Sequence, residues 1–206
     1  MANPWEEISL SDYENHMSLS SVMQLQAMNH LMKSQFEAYP VKTAMVLGIA
    51  GGNCLEHVNT SKYTMVYGID INADYLKAVA ERYADLGDLL QCIHLNLIEE
   101  YDKLPHAELL IANLLIEYIG YDVFVMAVSQ VKPAYVCCVI QINTDKDSWV
   151  SDSPYLHGFD RLDEVHHQME PDALCTAMSG IGYRRIMESE TPLPNGKSLV
   201  RIDFQR

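Results

Sequence analysis

The chain has 206 residues, enough to bury one sizeable core and short for two, and no stretch of it reads as a linker. Its 28 acidic and 14 basic side chains leave a formal charge of −14, and no Lys/Arg cluster offsets it, so nucleic acid is not an expected partner. The longest apolar run, residues 109–126, is interrupted by Asn113, Glu117 and Asp122, and the acidic start Met1–Glu7 lacks the features of a secretory signal; no membrane association and a cytoplasmic location are expected.

In chain order, Ser18–Ala38 carries Val22, Leu25, Met28, Met32 and Phe36 at helical spacing, with Pro40 as a stop. From residue 43 onward, apolar runs of strand length alternate with helical segments. The expected strands are Thr43–Ile49, Thr64–Ile69, Leu89–Leu95, Glu108–Ala112 and Tyr135–Ile142. Asn72–Tyr83 and Asp122–Gln130 each present an apolar face between them, and Pro171–Ser179 reads as a further helix with Gly180 as its cap. Two strand-like runs, Tyr183–Glu190 and Lys197–Phe204, flank Asn195-Gly196, a hairpin signal. Repeated βα units closed by a hairpin predict an α/β fold, a Rossmann-like three-layer sandwich around a mainly parallel seven-stranded sheet with an antiparallel C-terminal hairpin. Five cysteines without zinc-like spacing read as core residues; a reactive or redox-sensitive thiol is the alternative.

The stretch Met45-Val46-Leu47-Gly48-Ile49-Ala50-Gly51-Gly52-Asn53-Cys54 reads as a strand entering a small-residue turn, with a helix expected after it. Such a turn lets backbone N–H groups approach a ligand closely, although a ligand-free tight turn reads the same way. The next strand ends in Asp70, where a carboxylate can accept hydrogen bonds from ribose hydroxyls or cap the following helix.

Together these stretches resemble the class I S-adenosylmethionine-dependent methyltransferases over about residues 43–206. The resemblance implies S-adenosyl-L-methionine as cofactor. It implies that Gly48, Ala50, Gly51 and Gly52 wrap its methionine part, that Asp70 binds ribose with Ile71 beside the adenine, and that Asn96 and Leu97 lie near the adenine amino group. It also implies that Asn113, just after the fourth expected strand, takes the position at the mouth of the site. Residues 1–40 are expected as an N-terminal helical segment packing on or over the site and 41–206 as the catalytic domain. The family pattern has an acid two positions before its first loop glycine and a further glycine where this chain has Cys54; without gaps, the acid becomes Gly48 and the first glycine Ala50. The methionine ammonium then needs another carboxylate or a backbone carbonyl. A dinucleotide-binding Rossmann fold is the rival, but its Gly-x-Gly-x-x-Gly pattern started at Gly48 fails at Ala50 and Asn53.

The expected reaction is in-line transfer of a methyl group to a small-molecule oxygen or nitrogen nucleophile, for which positioning supplies much of the acceleration. Glu117, Tyr118 and His157 are the candidate catalytic side chains, with Glu117 and Tyr118 equally readable as the first turn of a helix. Asn143–Phe159 reads as a loop over the site, where Trp149, Tyr155 and His157 are candidates to line an acceptor pocket; Tyr13 and His16 are placed to close it from the other side. Helical spacing puts Asp163, His167 and Glu170 on one face beside His166, a solvated charged face in preference to a metal site, and with Asn113 and Asn143 where some family members carry metal-binding acids, no metal is expected. A non-catalytic S-adenosylmethionine-binding or sensor protein of the same fold and a NAD(P)-dependent oxidoreductase remain as alternatives.

Overall fold

A computed structural model describes residues 3–143 and 153–206, apart from the side chains of Leu156 and His157. Seven strands, β1 (Thr43–Leu47), β2 (Met65–Asp70), β3 (Leu90–His94), β4 (Leu109–Asn113), β5 (Tyr135–Ile142), β6 (Arg184–Pro192) and β7 (Ser198–Gln205), form one sheet in the order β3-β2-β1-β4-β5-β7-β6. Strands β1 to β5 are mutually parallel, and β7 runs antiparallel to both β5 and β6. The expected Rossmann-like sandwich and closing hairpin are therefore present. Gly196, at φ 79°, supplies the left-handed residue of the hairpin turn.

The period-two alternation of the strands sends successive apolar side chains to opposite layers. Met45, Leu47, Leu110, Ala112, Val136 and Cys138 pack toward helices α4 (Leu97–Glu100), α5 (Ile116–Val131) and α6 (Pro171–Gly180). Ala44, Val46, Leu109, Ile111 and Cys137 face the other way, toward Met32 and Phe36 of α2 (Gln24–Ala38) and Leu76 and Val79 of α3 (Ala73–Arg82). The adjacent Cys137 and Cys138 thus belong to opposite layers, both buried and unpaired, and burial pushes both thiols well up.

Three elements differ from the sequence expectation. The upstream helix is two: α1 (Leu10–Ser18), capped by Ser9, which accepts from Asp12 N–H, and α2, separated from it where Met23 turns left-handed at φ 55°. The helix expected after the small-residue turn is a single 3-10 turn, Leu55–His57. Asn59 ends it by accepting from the Ser61 N–H in a side-chain turn, and α2 covers that part of the sheet instead. Helix α5 starts at Ile116, earlier than the apolar periodicity indicated, and Gly120 breaks its first turns with φ 73° and ψ 167°. Among the described residues, no helix is long and apolar enough to cross a membrane.

Candidate functional site

The strand order reverses between β1 and β4, and a cleft of about 700 Å³, counted out to its solvent-open mouth, lies at the carboxyl ends of the strands beside that switch point. The turn after β1 forms one wall through Gly48 and Ala50, and the end of β2 contributes Asp70 and Ile71. Asn96 and Leu97, after β3, and Asn113, ending β4, complete the part expected from sequence. Gly51 and Gly52 lie elsewhere: Gly51 O accepts from Arg82 Nη1 at 2.9 Å beneath α1, and Gly52 packs against Val79 and Tyr83.

The turn keeps a glycine-like backbone without all of its glycines. Ala50 (φ 48°), Gly52 (φ 74°) and Cys54 (φ 83°) all have positive φ, so the three pattern positions retain a conformation that disfavours side chains. Gly48, at the position of the missing acid, is also left-handed (φ 67°), and a Cβ there would stand 3.0 Å from Leu115 Cδ1. Both facts disfavour an acidic side chain at that point.

Asp70 is 9% exposed. Its Oδ2 accepts from Ala50 N–H at 2.8 Å and its Oδ1 from Asn72 N–H at 2.9 Å, so one carboxylate ties the β1 turn to the start of α3. Burial raises its pKa, and these backbone donors oppose the rise. Among the described lining residues, Asp70 is the sole carboxylate of this cleft. Asn113 is less free than expected, because its carboxamide and that of Gln35 of α2 exchange two hydrogen bonds of 2.9 Å each. Gln35 is fully buried.

A second chamber, about 610 Å³ counted out to its solvent-open mouth, adjoins the first and shares Trp5, Tyr13, Leu114 and Tyr118 with it. Its far side is formed by His16, Phe159, Leu162 and His166, and its floor by Glu117 and Gln141. Residues 3–18 roof both chambers. Asn3 and Glu6 form a capping box around the 3-10 turn Pro4–Glu6, Trp5 O accepts from Asn72 Nδ2 at 2.9 Å, and Ile8 O accepts from the Tyr75 hydroxyl, also at 2.9 Å. The Trp5 ring meets Tyr118 edge-on at 4.8 Å and Tyr13 at 5.9 Å. Arg82 pairs with Glu14 of α1 across the β1 turn.

Glu117 and Tyr118 do stand in the first turn of α5, and both line the second chamber. Glu117 is 4% exposed; its Oε1 accepts from Gln141 N–H at 2.9 Å, while desolvation pushes its pKa up to about 7. Burial also raises the Tyr118 and Tyr13 hydroxyls and, as the main cause, holds His16 and His166 below the usual imidazole range. Two buried side-chain polar atoms have no hydrogen-bond partner among the described residues: Glu117 Oε2 and Trp5 Nε1. Both residues line the second chamber, leaving one unmatched acceptor and one unmatched donor there.

Trp149 and the side chain of His157 lie outside the described residues, so their expected roles do not enter this geometry. Tyr155 packs with Ile8, Phe159 and Leu162 at the chamber's edge. The face expected from Asp163, His167 and Glu170 does not form on one helix: Asp163 lies in the 3-10 segment Leu156–Glu164, His167 N–H donates to Glu117 O at 2.6 Å, and Glu170 engages Tyr121 through its backbone. Among the described residues no group of three His, Cys, Asp or Glu side chains is placed to hold a metal ion. Trp5 and Gln35 were not singled out from sequence. For Trp5 a signal existed, since Asn3-x-x-Glu6 has the form of a capping box; Gln35 looks like any polar residue of a helix.

No protein-family sequence profile matches the chain, and no curated protein matches it in sequence. Solved structures match in fold. The N-methyltransferase NodS from Bradyrhizobium japonicum, in complex with S-adenosyl-l-homocysteine, superposes with a TM-score of 0.66 at 8% identity, over 96% of this chain and 97% of that one. Geranyl diphosphate C-methyltransferase from Streptomyces coelicolor gives 0.65 at 11% identity, over 88% and 77%. The [4+2]-cyclase SpnF gives 0.66 at 8% identity, over 87% and 80%. With its strand order, its reversed β7 and the cleft at the switch point, the chain has the fold of the class I S-adenosylmethionine-dependent methyltransferases.

Proposed function

We propose that the protein is an S-adenosylmethionine-dependent methyltransferase acting on a small-molecule acceptor. The observation that carries this reading is the pair of chambers with a common wall: one lined by the β1 turn, Asp70, Asn96 and Asn113, the other aromatic and lined by Glu117. The residues of the first chamber fit the cofactor. Asp70 would accept from ribose hydroxyls with the lone pairs its backbone donors leave, while Ile71 and Leu97 flank an adenine and the Asn96 carboxamide lies at the same wall. With no acid at Gly48, backbone carbonyls of the β1 turn would receive the methionine ammonium. When bound, the cofactor supplies an electrophilic methyl group on a sulfonium. The chain's part is to hold an acceptor in line across Leu114 and Tyr118 and to exclude water beneath Trp5 and Tyr13. Solved structures of similar fold support the cofactor, since they are complexes with S-adenosylmethionine or its demethylated product.

Thermal unfolding with S-adenosylhomocysteine, S-adenosylmethionine, NAD or NADP added singly tests the reading. A ligand at a hundred times its dissociation constant adds about 2.7 kcal/mol, enough to raise the midpoint by several degrees. The two adenosyl compounds should stabilise the protein and the nicotinamide dinucleotides should not; a shift with NAD or NADP alone overturns it. The altered β1 turn favours a second reading, a non-catalytic S-adenosylmethionine sensor. Incubation with methyl-labelled cofactor and fractionated metabolites separates the two, since a sensor yields no labelled product in any fraction.

A further inference from the structure

We infer that the second chamber is built for a small cationic amine, an apolar or aromatic body carrying a protonated nitrogen, and that Glu117 takes the proton from that nitrogen as it is methylated. This deepens the methyltransferase reading and rests on it.

Three observations define the ligand. Glu117 is 4% exposed and Oε2 has no partner among the described residues, although the other oxygen is fixed by the β5 backbone. A carboxylate half used by its own protein, with its other oxygen buried and unmatched at the wall of a chamber, calls for a donor from outside. The walls around it, Trp5, Tyr13, Tyr118 and Phe159, are aromatic, and aromatic faces attract a cation while shielding it from water. No Lys or Arg is among the described lining residues. Lys197 acts electrostatically on His16 and His166, which line the chamber, but does not itself line it. An anionic acceptor would therefore face an acid without a compensating charge in the walls, and an alcohol would leave the carboxylate without a counter-charge.

The chemistry balances. The ammonium N–H proton passes to the Glu117 carboxylate, freeing the nitrogen lone pair. That lone pair forms the new N–C bond as the C–S bond breaks, with the electron pair of the broken bond remaining on sulfur. The methylated nitrogen keeps one positive charge, the cofactor loses its own, and the Glu117 proton passes to solvent once the product has left. A carboxyl group whose pKa lies about 7 is suited to both halves of this exchange near neutral pH.

Isothermal titration calorimetry on the full chain tests the assignment, using benzylamine, benzyl alcohol and benzoate as matched probes after saturation with S-adenosylhomocysteine. Benzylamine should bind at least about tenfold more tightly than benzyl alcohol, and benzoate more weakly than both. Glu117→Gln should remove the preference for the amine while leaving the affinity for the alcohol. In the wild type, the affinity for benzylamine should rise from about pH 6 to about pH 8 as Glu117 ionises. His16, His166, Tyr13 and Tyr118 also face the chamber. The histidines would contribute to this rise only by losing positive charge at its acidic end, so the component that Glu117→Gln removes belongs to Glu117. If the variant fails to fold, the wild-type preference for benzylamine over benzyl alcohol decides alone. No binding of benzylamine, or affinity no greater than that of benzyl alcohol, overturns the amine assignment and leaves the cofactor reading standing. Failure of S-adenosylhomocysteine to bind in the first step overturns both.

Discussion

The backbone N–H of Ala50 donates to Oδ2 of Asp70 at 2.8 Å, so the carboxylate that would hold a ribose also holds the turn that would hold the methionine. Two parts of the candidate site, twenty residues apart in sequence, share one hydrogen bond. Asp70→Ala should therefore weaken S-adenosylhomocysteine binding by about 1.5–3 kcal/mol, the cost of a lost charged hydrogen bond. Asp70→Asn, which keeps one acceptor oxygen, should lose less. Calorimetric titration of both variants checks the order, and unchanged affinity in the alanine variant would discard the assignment.

Ala50 makes the turn testable through the sign of a stability change. A non-glycine residue at φ 48° carries about 1–2 kcal/mol of left-handed strain, whereas glycine costs about 0.5–1 kcal/mol in unfolded-chain entropy. Ala50→Gly should be neutral or stabilising by up to about 1 kcal/mol, contrary to most glycine substitutions. Urea denaturation measures it; destabilisation beyond about 1 kcal/mol would mean that the turn is not strained at Ala50.

Glu117 predicts a pH dependence with a definite sign. Its folded-state pKa, about 7, lies above the ordinary value of 4.5, so the folded state binds the proton more tightly than the unfolded state. Below the ordinary value both states are protonated and Glu117 has no effect. Stability is lost as pH rises through the window between 4.5 and about 7, by roughly 3 kcal/mol in full. Glu117→Gln should remove most of that loss, raising the unfolding midpoint at pH values above the window and changing it little below. Parallel pH profiles of wild type and variant would refute this if they kept a constant offset.

The Gln35–Asn113 pair should behave as a unit. Asn113→Ala leaves a fully buried carboxamide without its two partners, at a cost of about 1–3 kcal/mol. Gln35→Leu with Asn113→Val should cost less than the sum of the single changes, because no orphaned polar group remains. A double-mutant cycle by denaturant unfolding supplies the coupling energy, and additivity would show that the pair carries none.

What the sequence revealed and what it hid divide along the reach of the interactions. The strands were readable because the apolar runs Ala44–Leu47 and Leu109–Ala112 are local and of strand length, and the pleat then divides them between the two layers. Asp70 and Asn113 were readable because each ends an apolar run, and the end of a strand is where this fold presents side chains to a ligand. The helix expected after Cys54 failed because a polar turn at Asn59 stops it, while α2, from earlier in the chain, packs over the same face. Trp5 was hidden because its meaning rests on Tyr118 and Asn72, contacts far along the chain that no periodicity encodes. Glu117 had two readings in the sequence, a catalytic candidate and the first turn of a helix, and the structure bears on the second. It opens a helix, and its second oxygen lacks the partner that a purely structural acid would have.

The way α2 lies across the sheet bears on any attempt to shorten this protein. Met28, Met32 and Phe36 cover Val139, Val46 and Ile111, so a polypeptide begun at Val41 would offer the part of that face not covered by α3 to water. Bare apolar area of this kind drives aggregation or misassembly. The strands therefore depend on a layer supplied ahead of them in the chain, and recombinant fragments lacking it should accumulate as insoluble material even with every strand intact.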